Sequence, residues 1–493
     1  MGGRAKAASK AKSRGKYRAG KRAKSANIVE VTGVARTGAG PARGTAERLG
    51  DDLELVRSDG FRDLCRTRPQ DFTRRRKLPH DVLVESILAK RGRSLELDLR
   101  QLGKEGLLDE AGVSAQAFSK ARQKLEPTAI RELVRHHARQ VYADGGYLTW
   151  FGMVGVGVDG SSVDVDTNPE TLDKWGNASN PGTRPQAQAG ISTAYDPLNR
   201  QIVDVTVNRC ALDERAEVPG HVEACREAVG DAELCFFLDR GYPSVALLAR
   251  LVEGGAHFVV RCPRTFLADE FEACAAAGGD VTVEVELTRE RLRPLADAGE
   301  DELLERLLAL GSIRLRLVLV DIGADQPERL VTDLGAERVT REDLKGGYHL
   351  RWGSETCYRF EKEQLELENV SGRGARIIEQ DIYATAYLLN LSFDLANEAD
   401  LEFERSGRQA GYTHRMTVNR SYAIGALRDE LVGVILAEDD GLRAEAMGRI
   451  VRELQRHLVP VRPGRSRPKD FVTRRKGKGK GKKRRYNNRY KRT

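Results

Sequence analysis

Residues 234–242, with the sequence LCFFLDRGY, form the stretch that decides the fold. Five apolar residues predict a short buried strand, and Asp239 follows at its carboxyl end. Residues 153–160 have the same arrangement, with Asp159 directly after an apolar run. Carboxylates at strand ends stand on rigid supports near one edge of a sheet, where they could share a divalent cation. An ordinary turn is the alternative for either aspartate taken alone.

The elements around these two strands predict one sheet. Their order is three strands, helix, strand, helix and strand, which is the order of a ribonuclease H-like sheet. The elements are predicted at residues 153–158, 187–194, 201–207, 214–229, 234–238, 244–252 and 257–261. Residues 196–200 have the composition of a turn and join the second and third strands as a hairpin.

Composition and periodicity divide the whole chain of 493 residues into several units. We expect an α/β protein with a ribonuclease H-like catalytic core, a β-rich insertion, a helical N-terminal DNA-binding domain and basic flexible tails. The predicted boundaries are 1–50 for a basic disordered arm, 51–150 for the helical domain, 151–262 for the first part of the core, 263–347 for the insertion, 348–461 for the second part of the core with C-terminal helices, and 462–493 for a basic tail.

The charge of the chain is concentrated at its two ends. The net charge is +9, yet residues 1–24 hold ten Lys or Arg and no acid, and residues 462–493 hold sixteen with one aspartate. The part between them is therefore net negative. Two cationic arms on an acidic body indicate a polyanionic partner, and double-stranded DNA is the natural one.

Cysteine usage and hydropathy bear on the compartment. The seven cysteines are scattered with no C-x-x-C pair, which is typical of reduced thiols. No apolar run approaches the roughly 18 residues needed to span a membrane, and the basic N-terminus lacks the apolar segment of a signal peptide. We expect a soluble cytoplasmic protein without a membrane partner.

Residues 112–125 predict a short helix with Ser114 as its N-cap. Such a helix suits the second helix of a helix-turn-helix, with Lys120 and Gln123 facing outward together with Gln116 and Ser119. An ordinary packing helix is the alternative, and the pattern alone leaves it open.

A polar stripe follows further along the chain. Tyr348, Arg351, Glu355 and Lys362 fall within an arc of roughly 60° if a helix begins near Tyr348. A solvated stripe with an Arg351–Glu355 ion pair is the alternative meaning of this spacing.

This combination of motifs resembles the insertion sequence four family of DDE transposases. The family's first two acidic motifs are similar to residues 159–161 and 239–242, and its Y-R-E-K signature fits the polar stripe at every spacing. Residues 74–79, 116–122 and 384–391 are also similar to segments of that family. The resemblance covers the chain from about Asp71 onward.

The resemblance implies a transposase that cuts transposon ends and joins them to target DNA. Asp159, Asp239 and Glu355 would be both the catalytic residues and the ligands of Mg²⁺ or Mn²⁺, with two ions expected. Tyr348, Arg351 and Lys362 would hold a phosphate near the scissile end. The resemblance also implies a homodimer in the DNA complex and a bacterial, nucleoid-associated location.

Several alternatives stay open at this stage. Trp352 would stack on a flipped base or belong to the core. Asp164 and Asp166 lie near Asp159 but do not end its apolar run, so we expect surface carboxylates. The whole protein could instead be a transposase-derived DNA-binding protein without activity, or a ribonuclease H-like nuclease without strand transfer.

Overall fold

The computed structural model describes residues 31–74, 77–109, 112–178, 184–210, 213–321, 327–351, 357 and 370–461. In these ranges the chain is a mixed α/β protein built on a large mixed sheet. The helices are α1 (Thr45–Arg57), α2 (Asp59–Cys65), α3 (His80–Leu88), α4 (Leu95–Lys104), α5 (Ala115–Arg122), α6 (Pro127–Ala143), α7 (Pro169–Trp175), α8 (Val218–Val229), α9 (Val245–Glu253), α10 (Ala268–Ala276), α11 (Arg293–Asp297), α12 (Asp301–Leu310), α13 (Arg341–Tyr348), α14 (Ala375–Arg405), α15 (Arg420–Ile435) and α16 (Asp440–Leu454). The strands are β1 (Val34–Arg36), β2 (Leu148–Trp150), β3 (Val154–Asp164), β4 (Gln188–Asp196), β5 (Gln201–Arg209), β6 (Leu234–Leu238), β7 (His257–Arg261), β8 (Asp280–Glu286), β9 (Ser312–Val320), β10 (Glu328–Thr332), β11 (Met416–Val418) and β12 (Leu458–Pro460).

The central sheet has eight strands in the order β5-β4-β3-β6-β7-β10-β9-β8. β3, β4 and β5 form an antiparallel meander, whereas β6 and β7 run parallel to β3. All five residues of β6 are buried, as expected for a central strand with both faces covered. The predicted order of three strands, helix, strand, helix and strand is therefore present as β3 to β7 with α8 and α9.

The strands of residues 263–347 belong to this same sheet. β10 pairs antiparallel with β7, and β9 and β8 follow it outward. The segment predicted as a β-rich insertion thus extends the sheet beyond β7. β10 lies about 70 residues after β7, its pairing partner, in the sequence. The periodicity within one strand does not indicate which distant strand it will pair with.

Helices cover both faces of the sheet. Val156, Val158 and Phe236 pack with residues of α8 and α9 on one face. On the other face, strand residues of β4 and β5 pack against α14, and Phe237 packs with residues of α13. Tyr348, at the end of α13, lies on this second face.

The helical region at residues 51–150 shares its core with the C-terminal helices. Apolar residues of α1 to α6 form one hydrophobic cluster with those of α14, α15 and α16. Buried Arg122 of α5 donates to Gln380 at 2.7 Å and pairs with Asp381 at 2.8 Å on α14. The helical region is therefore fixed to the helix that follows the predicted Glu355 segment.

The end of the predicted disordered arm, residues 31–50, is ordered. β1 pairs antiparallel with β2, and α1 begins at Thr45. The arm prediction was wrong for these residues because β1 acquires its order from a partner more than 100 residues away. Residues 1–30 and 462–493, which carry most of the predicted arm and tail, lie outside the described residues.

The cysteines and the apolar character of the helices bear on the predicted compartment. All seven cysteines are free, and six of them are buried. Within the described ranges, no helix combines the length and the apolar character needed to cross a membrane.

Candidate active site

The two predicted aspartates lie at matching positions on neighbouring parallel strands. The last residues of β3 and β6 in parallel register are Gly157 and Phe237, and Asp159 and Asp239 each lie two residues further on. Neighbouring strands are about 4.8 Å apart, and residues two apart share a face. The two carboxylates are thus brought together at the edge where β6 ends, each partly exposed to solvent.

Asp159 lies inside a strand and not in a turn. β3 was predicted to end at Val158, but it continues to Asp164 because residues 157–164 also pair with β4. Asp159 is therefore paired with Thr193 of β4, and it lies beyond the last pair that β3 forms with β6. The amide of Gly160 donates to Asp159 Oδ1 at 3.1 Å.

Asp239 has cationic and phenolic neighbours on both oxygens. Tyr348 donates its hydroxyl to Oδ1 at 3.3 Å, and an Arg351 guanidinium nitrogen lies 3.8 Å from Oδ2. Arg351 is buried, with only 4% of its side chain exposed. Burial raises the pKa of Tyr348, so its hydroxyl remains a hydrogen-bond donor at neutral pH.

The structure reaches this arrangement by a different local geometry from the one predicted. Tyr348 is the last residue of α13, which Thr340 and Asp343 start with a capping box, and Arg351 ends a 3-10 turn at His349–Arg351. Tyr348 thus ends one helix, and the segment after Arg351, where the predicted stripe continues, lies outside the described residues except for Cys357. Tyr348 and Arg351 nevertheless meet at Asp239.

The predicted site has three more residues further along the chain. Trp352, Glu355 and Lys362 lie outside the described residues. Among the residues that are described, no group of three His, Cys, Asp or Glu side chains is arranged to hold a metal ion. Asp159 and Asp239 offer the carboxylate oxygens that Mg²⁺ and Mn²⁺ prefer, and the predicted third ligand is Glu355.

A second arginine approaches Asp239 from the neighbouring strand. Arg261, the last residue of β7, has a guanidinium nitrogen 3.9 Å from Asp239 Oδ1. Glu328 of β10 accepts from Arg261 and also from Arg240, which donates to it at 2.9 Å. Burial raises the pKa of Glu328, but these two guanidinium groups outweigh burial and lower it, so the carboxylate is ionised.

Sequence analysis missed both Arg261 and Glu328. A signal for Arg261 was available, because it ends the next predicted strand after Asp239, and parallel strands end at the same edge. Glu328 had no such signal, since its place depends on the pairing of β10 with β7.

A further carboxylate lies near Asp159. Glu214 lies against Gly160 on the side of β3 opposite Asp159, and it neighbours the buried Tyr242. Burial raises the pKa of Tyr242, and the negative charges of Glu214, Asp159 and Asp239 raise it further. The sequence offered one indirect sign of this contact, the glycine after Asp159.

The other acidic residues near Asp159 are engaged locally. Asp164 accepts from Gln188 at 2.7 Å, and Asp166 accepts from Asn168 at 3.3 Å.

The predicted DNA-reading helix forms as α5. Ser114 caps it by accepting from the Ala117 amide at 3.2 Å, while Phe118 and Arg122 face the core. Lys120 and Gln123 are exposed. Their contact with DNA stays a prediction.

Part of the chain matches a model of a known protein family. Residues 150–391, just under half of the chain, match the family model described as the transposase DDE domain. The match supports a DDE transposase. The matched span contains Asp159, Asp239 and Glu355, together with both arginines that flank Asp239.

Structural comparison gives a more distant likeness. The chain is similar to the cryo-EM structure of a piggyBac transposase synaptic complex with hairpin DNA, with a TM-score of 0.41 and 12% sequence identity. The likeness covers 88% of this chain and 90% of that one. The comparison with curated proteins gave no match.

Proposed function

We propose that this protein is a DNA transposase that cleaves transposon ends and transfers the cut strand into target DNA. One observation carries the proposal: Asp159 on β3 and Asp239 directly after β6 lie two residues beyond the last parallel pair of these adjacent strands, within the span that matches the DDE domain. We further propose that it belongs to the insertion sequence four family, whose signature the sequence resembles.

The strand order supports a ribonuclease H-like core. In the part β5-β4-β3-β6-β7, a three-stranded meander is followed by two strands parallel to its first strand. The sequence predicted the order of these elements along the chain around the two acidic motifs. This strand arrangement brings two carboxylates from separate segments to one edge, as metal-dependent phosphoryl transfer requires.

In this proposal Asp159, Asp239 and Glu355 hold two divalent cations. When bound, such a pair stabilises the attacking and leaving oxygens of an in-line displacement. The three carboxylates bind and orient; none of them forms a covalent bond to DNA. The donor set fits Mg²⁺ or Mn²⁺ because both prefer oxygen ligands.

The basic residues around Asp239 suit the DNA phosphate. A guanidinium nitrogen of Arg261 lies 3.9 Å from Asp239 Oδ1, and one of Arg351 lies 3.8 Å from Asp239 Oδ2. Both distances are long for direct ion pairs. A cation on Asp239 would repel both guanidinium groups, whereas a phosphate bound beside it would attract them. We propose that Arg351, Arg261 and Tyr348 hold this phosphate, with Lys362 as a further contact and Trp352 stacking on a terminal base.

The remaining DNA contacts are assigned to more distant parts of the chain. Lys120 on α5 and Gln123 directly after it, both exposed, would contact the transposon end. The basic residues in 1–24 and 462–493 would contact phosphates without regard to sequence. The proposed assembly on DNA is a homodimer, and the proposed location is the nucleoid in the bacterial cytoplasm.

The test is a cleavage and strand-transfer assay on the DNA ends that flank the gene. Asp159→Ala, Asp239→Ala and Glu355→Ala should each lower Mg²⁺- or Mn²⁺-dependent cleavage on the order of a thousandfold while leaving end binding largely intact. Asp164→Ala is the matched control, because Asp164 lies on the same strand and bonds to Gln188 instead.

Each rival function has its own result in this assay. Nicking of donor ends without insertion into target DNA would indicate a nuclease. End binding without cleavage by the wild-type protein would indicate a non-catalytic DNA-binding protein. Normal cleavage by any of the three variants would remove that residue from the site.

A further inference from the structure

Glu328, the first residue of β10, binds two arginines beside the second aspartate. The Arg261 guanidinium donates to both Glu328 oxygens, through Nε and one terminal nitrogen. Arg240, the residue directly after Asp239, donates to the same two oxygens at 2.9 and 3.1 Å. One carboxylate thus joins two guanidinium groups that come from separate segments of the chain.

The strand register accounts for this contact. The parallel pairing of β6 with β7 ends one residue before Asp239 and Arg261, so these two are the next residues of neighbouring strands. Arg261 pairs across to Leu330 of β10, and Glu328 lies two residues from Leu330 on the same face. Diagonal neighbours on paired strands are about 7–8 Å apart, which two long side chains can span. The backbone pairing therefore brings Glu328 to Arg261.

The carboxylate is buried, whereas its two partners are accessible. The side chain of Glu328 is 10% exposed, and those of Arg261 and Arg240 are 19% and 52% exposed. The third nitrogen of Arg261, Nη1, lies 3.9 Å from Asp239 Oδ1. Among the described residues this nitrogen has no hydrogen-bond acceptor, and neither do Nε and Nη1 of Arg240. Donors that are held in place and still available suit an anion beside Asp239.

We propose that Glu328 is a positioning residue that holds Arg240 and Arg261 as a two-arginine phosphate site beside Asp239. Each guanidinium group uses one side for Glu328 and keeps at least one nitrogen for a phosphate oxygen. Glu328 is not a metal ligand, because both of its oxygens accept from guanidinium groups, and it acts on DNA only through the two arginines. The inference rests on the proposed function and adds Arg240 and Glu328 to it.

Charge and position predict opposite results when Glu328 is replaced. A carboxylate near bound DNA repels phosphate, so removing its charge alone should strengthen binding. Removing the support of the arginines should instead weaken binding, because two guanidinium groups without their shared carboxylate repel each other and move apart. The sign of the change therefore separates the two roles.

The experiment measures the affinity of the full-length protein for a DNA duplex with the ends that flank the gene. Glu328→Ala and Glu328→Gln should each weaken binding roughly tenfold, the lower end of what a hydrogen bond to a charged group contributes. Glu328→Gln keeps the size of the side chain, so it decides the question if Glu328→Ala fails to fold. Glu284→Ala is the matched control: Glu284 of β8 pairs with Arg314 of β9, and its variant should bind as the wild type does.

A second background separates positioning from a general effect on folding. In Arg240→Ala/Arg261→Ala, Glu328 has lost the groups through which it acts, so adding Glu328→Ala should not weaken binding further. A purely structural role would give the same loss in both backgrounds. The Mn²⁺ concentration for half-maximal cleavage by Glu328→Gln should equal that of the wild type, since Glu328 does not bind the metal.

Three results would overturn the inference. Unchanged or tighter DNA binding by Glu328→Gln would show that the carboxylate does not hold the arginines in place. An equal loss in the double-arginine background would indicate a structural role. A higher Mn²⁺ requirement would place Glu328 in support of the metal ligands instead. With cleavage by the wild type, each of these results leaves the proposed function standing, whereas a wild-type protein that neither binds nor cleaves the ends would contradict the proposed function and this inference together.

Discussion

Replacing the arginines beside Asp239 should weaken DNA binding without changing the metal requirement. Arg261 and Arg351 lie 3.9 and 3.8 Å from the two oxygens of Asp239, and Glu328 orients Arg261 from behind. In the proposed function they bind a phosphate and not the cation. Arg261→Ala and Arg351→Ala test this assignment directly.

The expected magnitude follows from the contact that each variant removes. A hydrogen bond to a charged group contributes about 1.5–3 kcal/mol, which corresponds to a roughly 10- to 100-fold loss of affinity for the transposon end. Each lost phosphate contact should also lower the slope of log affinity against log salt by about 1. The Mn²⁺ concentration for half-maximal cleavage should stay unchanged or fall slightly, because a cation near Asp239 has been removed.

The assay combines DNA binding at several salt concentrations with a Mn²⁺ titration of cleavage. Arg351→Lys should remain impaired, because an ammonium group does not reproduce the planar, two-point contact of a guanidinium group. Arg314→Ala is the charge-matched control, since Arg314 is 77% exposed and pairs with Glu284 on β8. Glu355→Asp is the metal-ligand comparison and should raise the Mn²⁺ requirement.

Opposite results would refute the reasoning. A large increase in the Mn²⁺ requirement of Arg261→Ala or Arg351→Ala, with DNA affinity unchanged, would place these arginines in support of the metal ligands. Wild-type DNA binding and cleavage by both variants would show that neither arginine contributes to the site. Because Arg351 is buried, its variants need a thermal melting curve to show that they fold; Arg261 is more accessible, and its variant serves as the independent measurement.

Three further predictions concern the tails, the helical region and pH. Deleting residues 1–24 and 462–493 should weaken binding to all DNA sequences similarly and flatten its salt dependence, and a change in sequence preference alone would contradict this. Arg122→Ala should lower the free energy of unfolding by about 3–5 kcal/mol in denaturant titrations, because Asp381 stays buried and loses one of the two cationic partners that it has among the described residues, keeping Lys90; Arg122→Ala/Asp381→Asn should recover part of the loss. Burial raises the pKa of Asp196 to about 6 from its usual 3.8, so its carboxyl stabilises the fold most below pH 4 and this contribution is lost as the pH rises through 6. The stability of the wild type relative to Asp196→Asn should therefore fall by roughly 2 kcal/mol between pH 4 and 7, and a difference that is constant over this range would show that the carboxyl does not titrate there.

Local patterns in the sequence were sufficient for much of the central sheet. β6 and β7 have the predicted bounds, and the hairpin of β4 and β5 lies where alternation and a turn predicted it. Ser114 caps α5 as predicted. These features depend on residues close together in the chain, so composition and periodicity are enough to identify them.

Tertiary structure decided which residues meet. Asp159 and Asp239 are 80 residues apart, and only the parallel pairing of β3 with β6 brings them to one edge. Arg261 comes to Asp239 because β7 lies beside β6, and Glu328 joins it through the antiparallel pairing of β10. Strand pairing over such distances depends on the whole sheet and on the helices that cover it, whereas a strand's own sequence specifies only which residues point to each face. The acidic motifs and Arg351 were therefore predictable from the sequence, whereas the place of Glu328 beside Arg261 was not.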